Sequence, residues 1–263
     1  MDKVHGNQAL LTGINQLVSM LKMAIRKSLW PLGYDIIRRQ PPVIYGIPDE
    51  DCYQSLFSPW DSARLFPEFT EVKNLTVCSR YSAWAVAQLL RLTHDVDGDI
   101  IELGVYKGGM GLLMDHIRSS FSKPKPLRLF DTFAGMPQTD PVLDRHREGD
   151  FSDTSLTAVK NLFAASSGVH FHEGLVEDTL PISDLGKVSF IHVDLDIYSA
   201  IKFSVEYLWP KLQPGGVIIF DDYGFPTCPG ARKAVDEFFT DLPVKPFLLP
   251  FGSCFVQKPV SCG

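Results

Sequence analysis

Apolar positions change their period several times along the chain, and each change predicts an element. Over residues 9–29, Leu10, Ile14, Leu17, Leu21 and Ala24 recur at helical spacing, with Lys22, Arg26 and Lys27 toward the end. This predicts a basic amphipathic helix. Pro41-Pro42 then opens an irregular connector over 40–60. The helical period returns over 80–93 and stops at Asp97-Gly98-Asp99. From there short apolar runs alternate with helical stretches. Strands are predicted over 100–105, 127–131, 169–172, 188–194 and 217–221. Helices are predicted over 112–120, 156–165, 198–209 and 230–240, and a terminal β-hairpin across Gly252 over 246–257.

Such alternation predicts an α/β protein with a doubly wound, parallel sheet. The expected organisation is a helical N-terminal extension over 1–60 and one α/β domain over 61–263, with no internal repeat. Hydrophobic residues at 45% and charged residues at 21% suit a globular protein whose length buries a full sheet. The net charge of −6, without a long basic block, argues against a nucleic-acid partner. Cys52, Cys78, Cys228, Cys254 and Cys262 form no Cys-x-x-Cys pair. They predict free thiols in a reducing, cytoplasmic setting rather than a zinc site or disulfide framework. No apolar run reaches the ~18 to 20 residues of a membrane span, and the first 27 residues lack the order of a signal peptide. The N-terminal helix with Trp30 suits packing on the main domain or another subunit better than lying on an anionic membrane.

Ligands of such sheets gather beyond the carboxyl ends of the strands, and acids stand there. The first strand carries Glu102 and leads into a turn with Gly104, Gly108, Gly109 and Gly111; the second ends at Asp131. Glycines after a first strand let backbone approach a ligand, and an acid ending the second can bind both hydroxyls of a ribose. The glycines do not keep Gly-x-Gly-x-x-Gly spacing, so a nucleoside cofactor without a pyrophosphate, S-adenosylmethionine, fits better than a nicotinamide.

The fourth and fifth predicted strands end at Asp194-Leu195-Asp196 and Asp221-Asp222. If one crossover joins neighbours, strands ~4.8 Å apart let a single ion bridge carboxylates from both. Asp194, Asp221 and Asp222 then make a hard, all-oxygen site for Mg2+, with manganese or calcium as lesser fits. Like charges so grouped repel unless a cation lies between them. The plainer role of such aspartates is capping the helices that come after them. Asp196, two residues on, is placed to face a substrate and take a proton from a hydroxyl whose pKa a metal has lowered.

These stretches carry a resemblance. Residues 98–109, 130–137, 177–181, 192–198 and 210–224, in this order and spacing, resemble the macrocin O-methyltransferase family of antibiotic-sugar methyltransferases, over about residues 70–240. The resemblance implies a class I methyltransferase, Rossmann-like fold: a seven-stranded, mostly parallel sheet, with an antiparallel last pair and helices on both faces. It implies S-adenosylmethionine, Mg2+ and a sugar hydroxyl as acceptor. It gives Asp194, Asp221 and Asp222 the metal, and Asp196 the general-base role. It puts Glu102, Gly104, Tyr106, Gly108 and Gly109 around the methionine part of the cofactor. Asp131 and Thr132 fall on the ribose, and Gly174, Leu175 and Val176 beside the adenine. Thr76, Val77 and Cys78 match a segment closing over the amino-acid end. Leu195 replaces the family's usual Gly, Tyr106-Lys107 replace Trp-Arg, and the first 60 residues match poorly.

The polar stretch 138–155 is expected to cover the acceptor, with Arg145, His146 and Arg147 contacting sugar or phosphate oxygens; a solvated loop is the competing role. The expected partner is a small-molecule sugar or glycoside, and the N-terminal helix is a candidate for self-association. Two alternatives remain. One is a catechol-type O-methyltransferase, whose family resembles Asp-x-x-Lys and Asp-Asn where this chain has Ile197 and Asp222. The other is a non-catalytic cofactor-binding module or membrane-associated assembly protein, against which the full set of acids argues.

Overall fold

The computed structural model describes residues 66–260 and the single helical position Ile25. The chain divides into two units, Met1–Phe57 and Ser58–Gly263, and the described sheet and its helices belong to the second. The helix expected over 9–29, Ile25 excepted, the connector over 40–60 and the division at residue 60 lie outside the described residues.

The described chain runs α1 (Pro67–Val72), α2 (Arg80–Leu92), β1 (Asp99–Leu103), α3 (Gly109–Ser119), β2 (Leu127–Asp131), α4 (Leu156–Leu162) and β3 (Val169–Glu173). It continues through α5 (Val176–Ile182), β4 (Val188–Val193), α6 (Tyr198–Leu208), β5 (Leu212–Phe220), α7 (Pro229–Phe239), β6 (Phe247–Leu248) and β7 (Cys254–Gln257). Strand order is β3-β2-β1-β4-β5-β7-β6. β1 to β5 are parallel, and β7 pairs antiparallel with both β5 and β6. This is the class I methyltransferase, Rossmann-like fold, and the terminal hairpin turns at Gly252 as expected.

Burial on both faces explains the continuous apolar strands. All six residues of β4 are buried. Ile101 and Leu103 of β1 face a core shared with α5, α6 and α7, including Leu180, Ile201, Val205 and Val235. Ile100 belongs to the opposite core, with Val86 and Leu90 of α2 and Leu113, Met114 and Ile117 of α3. Ser79 caps α2 by accepting from Ser82 N at 3.1 Å, and Ser155 caps α4 by accepting from Ala158 N at 3.3 Å, satisfying donors that a helix leaves free.

Three elements depart from the sequence pattern, the first being α1, where no helix was expected. β5 begins at Leu212, not 217, and runs through Pro214-Gly215-Gly216. The register to β4 slips there, from Val188↔Leu212 to Phe190↔Val217, and Gly215 takes φ +82. The break in the apolar pattern is a bulge that glycine permits. α5, with Pro181 inside it, is too short for periodicity to reveal.

The order reverses between β1 and β4, the crevice where doubly wound sheets place their ligands. The two strand ends touch there. A Cβ on Gly104 (φ +84) would stand 1.7 Å from the Asp194 carbonyl oxygen, so only glycine fits.

Candidate active site

A cavity opens above this crevice, of about 740 Å³ when its solvent-open part is counted. Its walls bring the two groups of acids together. Gly104, Tyr106, Asp131, Thr132, Gly174 and Leu175 line one side, with Val176 and Val77; Asp194 and Asp196 line the other.

Asp131 ends β2 and holds the turns around it. Its Oδ2 accepts from Val105 N at 2.6 Å and Tyr106 N at 2.9 Å, and its Oδ1 accepts from Phe133 N at 2.6 Å. Tyr106 and Phe133 both have positive φ, of 51° and 50°, the sort of backbone strain that collects at binding sites. Thr132 Oγ1 donates to the Gly135 carbonyl at 2.6 Å. The carboxylate is therefore oriented by backbone, with Oδ2 filled and one lone-pair site left on Oδ1.

Other predicted residues stand behind this wall. Gly108 (φ 86) is the left-handed cap of α3, and Gly109 N donates to the Leu75 carbonyl at 3.1 Å. Thr76 Oγ1 accepts from Cys78 N at 3.0 Å. Glu102 is 1% exposed; one carboxylate oxygen lies 3.5 Å from His192 Nδ1, and the other has no hydrogen-bond partner. Burial raises the Glu102 carboxyl, with His192 opposing. Burial works against the His192 imidazolium, but Glu102, Asp194 and Asp221 outweigh it and raise its pKa.

The acids at the other end follow from strand register. Val193 pairs with Phe220, so Asp194 and Asp221 emerge side by side. One carboxylate oxygen from each, with Cys78 Sγ, lies within 4.8 Å of the others. Cys78 Sγ donates to Asp194 Oδ2 at 3.1 Å, and Ser253 Oγ donates to Asp221 Oδ1 at 2.8 Å. Asp222 Oδ2 accepts from Asp196 N at 2.9 Å. Burial, then Asp221, pushes Asp194 up to about 8. Burial, then Asp196, Asp194 and Asp221, holds Asp222 well above the carboxylate range. Burial, then Asp194 and Asp221, raises the Cys78 thiol. A cluster that resists its own ionisation in this way has the chemistry of a hard-cation site, because a divalent charge reverses each of these shifts.

Asp196 carries φ +62. Its Oδ1 accepts from Cys228 Sγ at 3.1 Å and lies 3.4 Å from His146 Nε2. Of the three basic residues expected near an acceptor, His146 meets Asp196 while Arg145 and Arg147 are exposed, and none of the three lines the cavity. The polar stretch is anchored. Asp144 is buried, with Oδ1 accepting from Tyr198 N at 2.9 Å at the start of α6 and Oδ2 from Asp140 N at 3.0 Å.

Sequence pattern alone did not point to Gly135, Met136, Pro137 and Phe151 as lining residues. The first three lay inside a motif whose lining role spacing does not reveal. Cys228 and Ser253 carry no local signal, since tertiary folding alone brings them to Asp196 and Asp221.

Residues 83–246 match the macrocin-O-methyltransferase family (TylF). 8-demethyl-8-(2,3-dimethoxy-alpha-L-rhamnosyl)-tetracenomycin-C 4'-O-methyltransferase of Streptomyces olivaceus is 30% identical over 159 residues, 56% of this chain and 60% of that protein. Demethyldecarbamoylnovobiocin O-methyltransferase of Streptomyces niveus is 30% identical over 157 residues, 55% of this chain and 59% of that protein. The solved structure of the O-methyltransferase NovP aligns with a TM-score of 0.64 at 25% identity, covering 71% of this chain and 83% of that one. The chain thus spans 59–60% of the length of these two curated relatives. No helix among the described residues is long and apolar enough to cross a membrane.

Proposed function

Because the chain belongs to the macrocin O-methyltransferase family, we propose that it moves the methyl group of S-adenosylmethionine to a hydroxyl of a sugar or glycosylated small molecule. The reading includes Mg2+ at Asp194, Asp221 and Asp222, and Asp196 as general base. One observation carries it: a single cavity is walled by the Asp131 corner on one side and by Asp194 and Asp196 on the other. A nucleoside held at the first leaves its neighbouring acceptor beside the second. The Streptomyces olivaceus relative acts, by its name, on a rhamnosyl-tetracenomycin, which supports a glycosylated acceptor.

S-adenosylmethionine supplies an electrophilic methyl carbon, so the chain's task is orientation more than activation of the donor. Asp131 and Thr132 would take the ribose hydroxyls, with the three backbone donors fixing the Asp131 carboxylate beforehand. Gly174, Leu175 and Val176 would border the adenine. Gly104 and Tyr106 would lie along the methionine part, under Val77. Magnesium, when bound, supplies Lewis acidity and relieves the repulsion among the three aspartates. Asp196 then receives the acceptor proton at a carboxylate oxygen. Its backbone N–H, tied to Asp222 Oδ2, aims the base from the metal ligands. Met136, Leu195 and Ile197 give the same cavity an apolar lining.

The test is release of S-adenosylhomocysteine with a panel of sugar nucleotides and glycosides, with and without EDTA. Turnover on a sugar that EDTA abolishes and Mg2+ restores is expected. Turnover indifferent to EDTA removes the metal role, and turnover confined to a catechol acceptor removes the sugar.

A further inference from the structure

Beside the aspartates assigned to magnesium, whose cluster also includes Cys78, stands a second group of donors that adds an imidazole. His146 Nε2, Asp196 Oδ1 and Cys228 Sγ all lie within 4.8 Å of one another. We propose that these three residues form a site for a thiophilic divalent cation of the zinc class, whose occupation silences Asp196.

The donor set is nitrogen, oxygen and sulfur, which selects zinc-like ions over magnesium. Zinc takes such ligands at ~2.0–2.3 Å in tetrahedral geometry, which sets donor atoms ~3.4–3.6 Å apart. Sulfur and carboxylate here are 3.1 Å apart, and nitrogen and carboxylate 3.4 Å. Small side-chain adjustments therefore admit the ion. With three protein donors a water would complete the coordination, and of the three Asp196 lines the cavity.

A second, independent feature belongs to metal-binding histidines. The other ring nitrogen of His146, Nδ1, lies 3.4 Å from Asp150 Oδ2. A carboxylate behind a ligating imidazole holds the proton on the far nitrogen and frees the near one to coordinate. Asp150 is itself held in place by Arg147 N, which donates to its Oδ2 at 2.9 Å. Charge also balances. On binding, the Cys228 Sγ–H bond breaks, its proton leaves to solvent and sulfur donates its pair to the ion. One thiolate and one carboxylate then neutralise the dication, with His146 neutral. Cys228 is 2% exposed and does not line the cavity, whereas Asp196 does, so the ion would reach the sulfur past Asp196. The ion would occupy Asp196 Oδ1 and block proton transfer there; this silencing, though not the binding, rests on Asp196 being the base.

Cobalt(II) tests the site on the full chain, with Mg2+ saturating so that the aspartate centre is already filled. A sulfur-to-cobalt charge-transfer band in the near ultraviolet is expected. It disappears in Cys228→Ser and persists in Cys78→Ser, whose thiol neighbours Asp194 instead. His146→Gln, on a partly exposed loop, and Asp150→Asn each weaken cobalt binding, the latter by about tenfold. Absence of the band, or its survival in Cys228→Ser, overturns the site. Zinc is expected to suppress methyl transfer in the unmodified chain far more than in Cys228→Ser, each relative to its own magnesium-supported rate. Equal suppression in both overturns the silencing. Loss of the band while magnesium-dependent transfer persists sinks this inference alone; transfer indifferent to magnesium sinks the magnesium-dependent function instead.

Discussion

Asp196 holds a left-handed backbone at φ +62, with its side chain held by Cys228 and His146 and its N–H by Asp222. Few side chains accept that conformation cheaply, and Asn is among them. Asp196→Asn therefore keeps the local geometry and removes only the capacity to take a proton. The expected result is a turnover number lowered by about 10²–10⁴-fold with little change in melting temperature. Steady-state kinetics beside a thermal melt decide it, and near-normal turnover would remove the base role. The two residues on either side of Leu195 thus divide their work. Both are half-buried and line the cavity, but Asp194 meets Cys78 and Asp221, while Asp196 meets Cys228 and His146.

At the level of elements, the ends of β1 and β2 are welded by one side chain. Asp131 gathers three backbone donors from two different turns. An Asn there turns an N–H₂ group toward at least one of these donors, leaving it unsatisfied. Asp131→Asn is expected to lose about 1–3 kcal/mol of stability in a urea titration, in addition to weaker S-adenosylmethionine binding by calorimetry. A variant as stable as the parent would show that the turns do not depend on the carboxylate. This element logic was partly legible in the sequence. Alternation of apolar strands with helices is visible because burial on both faces leaves unbroken runs such as 217–220. The acids at strand ends are visible because parallel register sets Asp194 level with Asp221 whatever the loops do. The start of β5 was not visible, since a bulge at Gly215 looks like a terminator. The partners Ser253, Cys228 and Asp144 were not visible either; each arrives from another part of the chain.

Across the whole molecule, the acid cluster couples folding to pH, and the proposed magnesium would couple it to the ion as well. Asp194 lies at about 8 in the folded chain, raised by burial and then by Asp221, against an ordinary value near 4 when unfolded. Between those values the folded state keeps a proton that the unfolded state gives up, so stability is lost as pH rises from about 4 to about 8. Asp222, raised by burial and by its three acidic neighbours, acts in the same direction. The exposed Asp150 and Asp153 are lowered, the first by its backbone hydrogen bond at Arg147 and the second by Lys107. Their contributions fade only on further acidification, below this window. Magnesium would bind the folded, ionised cluster and not the unfolded chain, which adds stability by mass action. It competes with protons for the same oxygens, so its stabilising effect must grow with pH. The melting temperature in EDTA is expected to fall between about pH 5 and about pH 8. Added Mg2+ should raise it more at the upper end than at the lower. A magnesium increment that is absent, or equal at both ends, would mean that the ion does not sit among Asp194, Asp221 and Asp222.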